Sequence, residues 1–208
     1  MLRPRSSEAC CQMPIIAKRS GRDSRLAAAL AVAALLVIAS EAMAVDVSEG
    51  QTAPPFSLPD GAGNTISFPA VADGRPVVVF FWATWCPYSR ALTPLLGEIR
   101  RDYAERGVQV LALNVREDGD PVAYLRERDA DFVLLTGADA VAQVWGVTGT
   151  PGLFVVDGDG TVVYRRRSSG DRKPREAAAI WAERARAAIM TALDPDKNRP
   201  PGGQPDGQ

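Results

Sequence analysis

The sequence predicts an α/β sandwich built on a mixed sheet, and three observations carry that reading. The elements run hairpin, strand, helix, strand, helix, then a second hairpin and a last helix. Strands joined by helical crossovers pair in parallel, whereas hairpins pair antiparallel, so this order mixes the two. Val77 to Trp82 is an unbroken apolar run, as expected of a strand covered on both faces. Finally, 208 residues with 46% hydrophobic content supply the core of one ordinary domain.

Taken in order, Asp46 to Pro55 is a polar lead-in that ends in prolines. Phe56–Leu58 and Thr65–Phe68 alternate apolar and polar around Asp60-Gly61-Ala62-Gly63-Asn64, which predicts a hairpin. After the strand Val77–Trp82 the period becomes helical from Pro87 to about Arg106, with Leu92, Leu95, Leu96 and Ile99 on one side. Pro94 lies inside this helix, where it should kink it, and Gly107 ends it. Val108–Val115 reads as a strand, Asp120-Pro121 opens a short helix to about Asp129, and Phe132–Leu135 is a short strand. Asp139–Trp145 is a helical turn or two. Gly152–Asp157 and Thr161–Arg165 flank Gly158-Asp159-Gly160 as a second hairpin. Pro174–Leu193 is an Ala-rich helix whose expected buried stripe is Ile180, Trp181, Ala185 and Ile189. The Pro/Gly-rich residues 194–208 are expected to be a disordered tail.

Residues 1–44 read as a signal peptide. Lys18, Arg19, Arg22 and Arg25 flank the apolar run Leu26–Ser40, and Ala42-Met43-Ala44 supplies a small-x-small cleavage site before Val45. An uncleaved N-terminal anchor is the alternative, although the run is shorter than the roughly 20 residues a bilayer span needs. The basic region is long, and a start at Met13 would give a conventional signal peptide without Cys10 and Cys11. Cleavage would remove six Lys/Arg and three Asp/Glu, leaving 18 basic and 22 acidic residues, a charge of −4. It would also leave Cys86 as the one cysteine, in an oxidising compartment where disulfides persist. The full-chain charge of −1 gives no reason to expect nucleic acid. Without histidine, and with no second cysteine near Cys86, neither metal nor iron–sulfur cofactor is expected.

The chemistry concentrates at Trp85-Cys86-Pro87-Tyr88-Ser89, where an apolar strand breaks and a helix begins. A cysteine at a helix N-terminus is placed to ionise, because unpaired N–H groups and the helix dipole favour negative charge. With no Lys, His or second cysteine to assist, only a moderate lowering of its pKa is expected. The plainer reading, a small buried hydrophobe, fits poorly beside a helix-start proline. Ser89, three residues on, is either a solvent-facing helix residue or a hydrogen-bond donor to the thiolate. Trp82 reads as core, Trp85 as surface, and Trp145 and Trp181 as packing. Arg165-Arg166-Arg167 reads better as a solvated strand end than as a basic rim, and Glu117-Asp118 as a polar loop.

Several of these segments together resemble one family. Phe81-Trp82-Ala83-Thr84-Trp85-Cys86-Pro87, Pro94, Trp145-Gly146-Val147-Thr148-Gly149-Thr150-Pro151, the strand Gly152–Val156 and Asp157-Gly158-Asp159-Gly160 are similar to the TlpA/ResA-type extracytoplasmic thioredoxins. Ala53-Pro54-Pro55-Phe56 and the leading hairpin belong to the same redoxin pattern, and the likeness spans about Val47 to Arg167. The resemblance implies a thioredoxin fold with an N-terminal β-hairpin extension, layered α/β/α, over residues 45–193. It implies that Cys86 is the reactive thiol, that Pro151 is a cis-proline beside it, and that the Thr150 backbone pairs with an extended substrate segment. Trp85, Pro87 and Tyr88 would line the substrate groove. Expected partners are thiols and disulfides of exported proteins, with glutathione or a membrane thiol–disulfide reductase as electron source, and a monomer is expected.

The chain departs from that pattern at two positions. Ser89 stands where a resolving cysteine would, and Phe80 where cytoplasmic thioredoxins carry a buried acid. Cys-Pro-Tyr-Ser also resembles some monothiol glutaredoxins, but their glycine pair after the cis-proline strand is absent. One thiolate can attack a disulfide, yet without a resolving thiol the mixed disulfide waits for an outside thiol. The expected function is therefore monothiol reduction or isomerisation of disulfides in the periplasm. The alternative is a binding module for exported proteins that is redox-inactive or forms lasting adducts. A thiol peroxidase is third: peroxiredoxins place Thr or Ser three residues before the cysteine, where this chain has Ala83, with Thr84 one position off.

Overall fold

The computed structural model describes residues 46–168 and 170–194. The targeting segment expected over 1–44 and, Asp194 apart, the expected tail lie outside the described residues. Phe56–Pro59 (β1) and Thr65–Phe68 (β2) pair antiparallel, with Phe56 opposite Phe68. The Asp60 carboxylate closes their turn by accepting from the N–H groups of Ala62 (2.9 Å) and Asn64 (2.8 Å). The remaining elements are Val77–Trp82 (β3), Pro87–Asp102 (α1), Gln109–Asn114 (β4), Pro121–Arg126 (α2), Val133–Leu135 (β5), Asp139–Val144 (α3), Gly152–Val156 (β6), Val162–Arg165 (β7) and Pro174–Ala192 (α4). Among the described residues no helix is long and apolar enough to cross a membrane.

The main sheet has the order β5-β4-β3-β6-β7. β3 runs parallel to β4 and antiparallel to β6, so the apolar run predicted for a sheet centre occupies it. All six of its residues are buried. Because strand side chains alternate between faces, Val77, Val79 and Phe81 enter one core while Val78, Phe80 and Trp82 enter the other. The first core is capped by the β1–β2 hairpin and α3, with Trp145 wedged among Phe56, Phe68, Phe81 and Phe154 at centroid distances of 5.1–6.2 Å. The second is capped by Leu92, Leu96 and Ile99 of α1 and by α4. Phe80 is fully buried and stacks on Trp82 at 6.0 Å, so an apolar pair fills the place of the missing acid.

The helical expectations need two corrections. In α4 the buried face is Ala177, Ala178, Trp181, Ala182, Ala185 and Ile189, and Ile180 is only half-buried. Small alanines let α4 pack closely on α1 and leave Trp181 and Ile189 as its bulky buried residues, so the stripe turns away from Ile180. Leu95 is likewise half-buried, beside fully buried Leu96. α1 also closes earlier than predicted, at Asp102. A short 3-10 turn, Ala104–Arg106, follows it before Gly107 turns the chain at φ 74°.

Candidate active site

Cys86 is the N-cap of α1, in extended conformation (φ −76°, ψ 117°), and Pro87 occupies the first helical turn. Proline suits that position because its missing N–H would have had no intrahelical partner. The N–H groups of Ser89 and Tyr88 favour the ionised sulfur, while the resting thiol makes no capping hydrogen bond to the turn. Cys86 is 4% exposed, so a partner's sulfur must reach it through a narrow opening. Its thiol donates to the Thr150 carbonyl at 3.4 Å, which joins the α1 loop to the loop before β6. The Thr150–Pro151 peptide bond is cis.

Burial pushes the Cys86 thiol up, but hydrogen bonds more than offset it and leave its pKa below the ordinary thiol value. The Ser89 hydroxyl is the largest of these, followed by the Thr150 side chain and the backbone N–H groups of Ser89 and Tyr88. Ser89 is fully buried, which overturns the solvent-facing reading. Its Oγ nevertheless makes no hydrogen bond of standard geometry in the resting structure. The two facts agree if the hydroxyl serves the ionised sulfur. The neutral thiol gives its own proton to Thr150, and only the thiolate needs a donor.

The loop after β4 holds this region from below, a role that a polar-loop reading of Glu117 missed. The Glu117 carboxylate accepts from Thr84 N–H (3.0 Å), Thr84 Oγ (2.6 Å) and Asn114 Nδ2 (2.6 Å). It also accepts from the N–H groups of Asp118 (3.1 Å) and Gly119 (3.0 Å). Gly119 lies so close that a Cβ there would stand 2.7 Å from Thr84 Oγ. Partial burial raises the Glu117 pKa, and the bonds from Thr84, Asn114 and Gly119 outweigh it and hold the carboxyl below its ordinary value. Next to it, the Arg116 carbonyl accepts from Trp85 Nε1 (2.7 Å) and its guanidinium donates to the Thr148 carbonyl (3.4 Å). Arg116 does this with φ 47°, in the left-handed region. The register of β3 on β4, which puts Trp82 beside Asn114, is what delivers this loop to Thr84. Thr84 is thereby committed to structure, and Ala83 offers no hydroxyl, so neither is free to orient a peroxide.

Trp85 stands 47% exposed at the rim, and Tyr88 is half-buried, its hydroxyl donating to the Arg172 carbonyl (3.0 Å). Tyr88, Thr150 and Pro151 line an open groove of about 920 Å³ together with Trp181 and Arg165–Arg167. The solvated-strand-end reading holds for exposed Arg167 and is corrected for Arg165 and Arg166. Arg165 pairs with Asp46 (2.5 Å). Arg166 instead lies over the Trp181 ring at 4.7 Å, half-buried, with its Nε buried and unpartnered. Burial pulls the Arg166 pKa down, while Tyr164 and an ionised Cys86 hold it up. At the cysteine, burial is the largest single influence and the hydrogen bonds together outweigh it. Sequence-predicted Cys86, Ser89, Tyr88, Thr150 and Pro151 are thus brought together, with Trp85 and exposed Pro87 at the edge. Arg166 and Glu117 are the additions.

Residues 49–165 match the model of the AhpC/TSA family. The thiol:disulfide interchange protein DsbE of Escherichia coli is 30% identical over 139 residues, 64% of this chain and 70% of that protein. The thiol-disulfide oxidoreductase ResA of Bacillus thuringiensis is 30% identical over 129 residues, 61% of this chain and 74% of that protein. A crystal structure from Chlorobium tepidum, proposed to be a DsbE, superposes with a TM-score of 0.59 at 27% identity, covering 71% of this chain and 99% of that one. The fold is that of thioredoxin, carrying the extra hairpin.

Proposed function

The chain belongs to the AhpC/TSA family, and we propose that it is a thiol–disulfide oxidoreductase acting through one sulfur, Cys86, on proteins exported to the periplasm. The observation that carries this is the pairing at the start of α1: a thiol with a lowered pKa, and a buried hydroxyl at the resolving position. Cys86 is the one free cysteine among the described residues. The Cys86 thiolate attacks one sulfur of a substrate disulfide, the S–S bond breaks, and the other sulfur leaves as thiolate. Ser89 cannot attack the resulting mixed disulfide. An external thiolate does so instead, returning Cys86 as thiolate and taking the substrate sulfur into a new disulfide. If a second substrate thiol attacks, the outcome is isomerisation with no net electron change. The basic and apolar segment before Val45 supports export, with Val45–Leu193 as the working domain.

The test uses the full chain with Cys10→Ser and Cys11→Ser, a mixed-disulfide substrate and glutathione. Turnover that disappears in Cys86→Ala is expected, and Ser89→Cys should release its substrate without added thiol. Absence of Cys86-dependent turnover refutes the reading. A second reading, an adduct-forming binding module, is favoured by the exposed Trp85 beside a thiol that has no internal exit. Partners captured as Cys86 disulfides and lost in Cys86→Ala, with no thiol-driven turnover, would favour it over catalysis.

A further inference from the structure

Among the described residues, the groove beside Cys86 presents its cations unevenly. On the outer side Arg165 is neutralised: Asp46 pairs with its guanidinium (2.5 Å), and Glu49 accepts from its N–H (3.0 Å). Arg166 and Arg167 face no carboxylate. Arg166 is the unusual one. Its backbone N–H is fixed to the Leu153 carbonyl (2.8 Å), one NH group donates to the Arg167 carbonyl (3.1 Å), and the plane rests on Trp181. A partly buried guanidinium is ordinarily paired with an anion, because an uncompensated charge is costly to desolvate. Arg166 is instead held by an aromatic ring and backbone, with its Nε left without an acceptor. It stands in the wall of the groove, and among the described residues no carboxylate pairs with it.

We propose that this groove binds the carboxylate end of a low-mass thiol, so that the exchange partner of Cys86 is an anionic small-molecule thiol or a protein disulfide already capped by one. The inference rests on the single-sulfur reading above and names its missing thiol. Cys86 attacks the small-thiol sulfur of a capped protein disulfide; the S–S bond breaks, the protein thiolate leaves, and the small thiol stays bonded to Cys86 with its carboxylate on Arg166. A second molecule of the same thiol, as thiolate, attacks the bound small-thiol sulfur. Its two-sulfur disulfide departs and the Cys86 thiolate is restored. In sum, the capped protein disulfide and one small thiolate become the free protein thiolate and the small thiol's own disulfide. A low-mass ligand suits the place, because Cys86 is only 4% exposed and the groove reaches it past Thr150, whose carbonyl accepts from the thiol, with Tyr88 and Trp181 in its wall. Guanidinium–carboxylate pairing gives that ligand a fixed orientation as well as attraction.

The test compares glutathione with its diethyl ester, which has the same thiol but masked carboxylates. Cys86 of the Cys10→Ser, Cys11→Ser chain is first converted to its adduct with 2-mercaptoethanol, and the second-order release rate is measured. Relative to a small unstructured disulfide, glutathione should outpace its ester by on the order of 10-fold. The advantage should collapse in Arg166→Gln, recover in part in Arg166→Lys, and shrink on the native sequence between about 20 mM and about 500 mM salt. An advantage unchanged in Arg166→Gln, or unaffected by salt should that variant not fold, overturns the proposal while leaving single-sulfur exchange intact. If no thiol releases the adduct, the single-sulfur reading fails instead. Calorimetry with S-methylglutathione then decides for the groove: saturable binding weakened by Arg166→Gln supports it, and no binding overturns it.

Discussion

Glu117→Gln should destabilise the protein at neutral pH and do so progressively less as the solution is acidified. The carboxylate collects five donors, two on one oxygen (Thr84 N–H and Asn114 Nδ2) and three on the other (Thr84 Oγ, Asp118 N–H and Gly119 N–H). A glutamine keeps one acceptor. If its NH2 replaces the first oxygen, Thr84 N–H and Asn114 Nδ2 lose theirs. If it replaces the second, the Thr84 hydroxyl can turn to accept, but the Asp118 and Gly119 N–H groups are left. Either way two bonds to a charged acceptor go, each worth about 1.5–3 kcal/mol when buried. Glu117 is half-exposed, so solvent screening reduces each to about 1 kcal/mol and the pair to about 2 kcal/mol. For a domain of this size that is a fall of about 4–8 °C in Tm. The Glu117 pKa is lowered in the folded state, so its contribution is complete above the unfolded value and is lost as pH falls through the folded one. Paired melts of both proteins at pH 7, 5, 4 and 3 should therefore show a gap that narrows with acid. A gap of the same size at pH 3 and pH 7 would mean that the carboxylate charge is not what holds the Thr84 turn.

Two further outcomes follow from the same geometry. Ser89→Ala removes the strongest influence lowering the Cys86 pKa while burial continues to raise it, so the midpoint of the pH–rate profile for alkylation by iodoacetamide should move up. A midpoint that stays in place would separate Ser89 from the thiolate. Trp145→Ala empties a fully buried site ringed by four aromatic residues and should cost about 3–5 kcal/mol, toward the lower end because the indole Nε1 is itself buried without a partner. A urea midpoint shift equivalent to under about 1 kcal/mol would show that the hairpin and α3 do not depend on this ring.

What could be read directly from the sequence has a local cause. The strands announce themselves by a period of two or by continuous burial, as at Val77–Trp82, and the helices by capping chemistry, as at Cys86-Pro87 and Asp120-Pro121. The candidate cysteine was legible because the strand break, the proline and the helix lie within a few residues. Glu117 and Arg166 were not, because each acts through a contact set by register. Glu117 reaches Thr84, 33 residues earlier, only because β3 and β4 align Trp82 with Asn114. A parallel neighbour of the catalytic strand that ends in a polar side chain and then an acid was the available signal, and it points to the loop without naming its partner. Arg166 depends on where Trp181 of α4 comes to rest, and the packing of α4 was also where Ile180 was misplaced.

Serine at position 89 separates two tasks that one residue performs in a two-cysteine site. A second thiol would both help stabilise the first as thiolate and attack the mixed disulfide. On the proposed function the hydroxyl keeps the first task, as a buried donor three residues into α1 that lowers the Cys86 pKa, and it drops the second. Alanine would drop both, so serine at this position fits the thiolate chemistry proposed for Cys86. Once internal release is gone, the lifetime of any adduct depends on what can enter beside Pro151. The features of that entrance then become the determinants of rate. Arg166, held over Trp181 and facing no carboxylate among the described residues, is the one with the chemistry to select among entering thiols. Loss of the resolving cysteine and the placement of a desolvated cation beside the sulfur are, on this argument, two halves of one arrangement. The first makes the site dependent on an outside thiol, and the second gives it a means of choosing which.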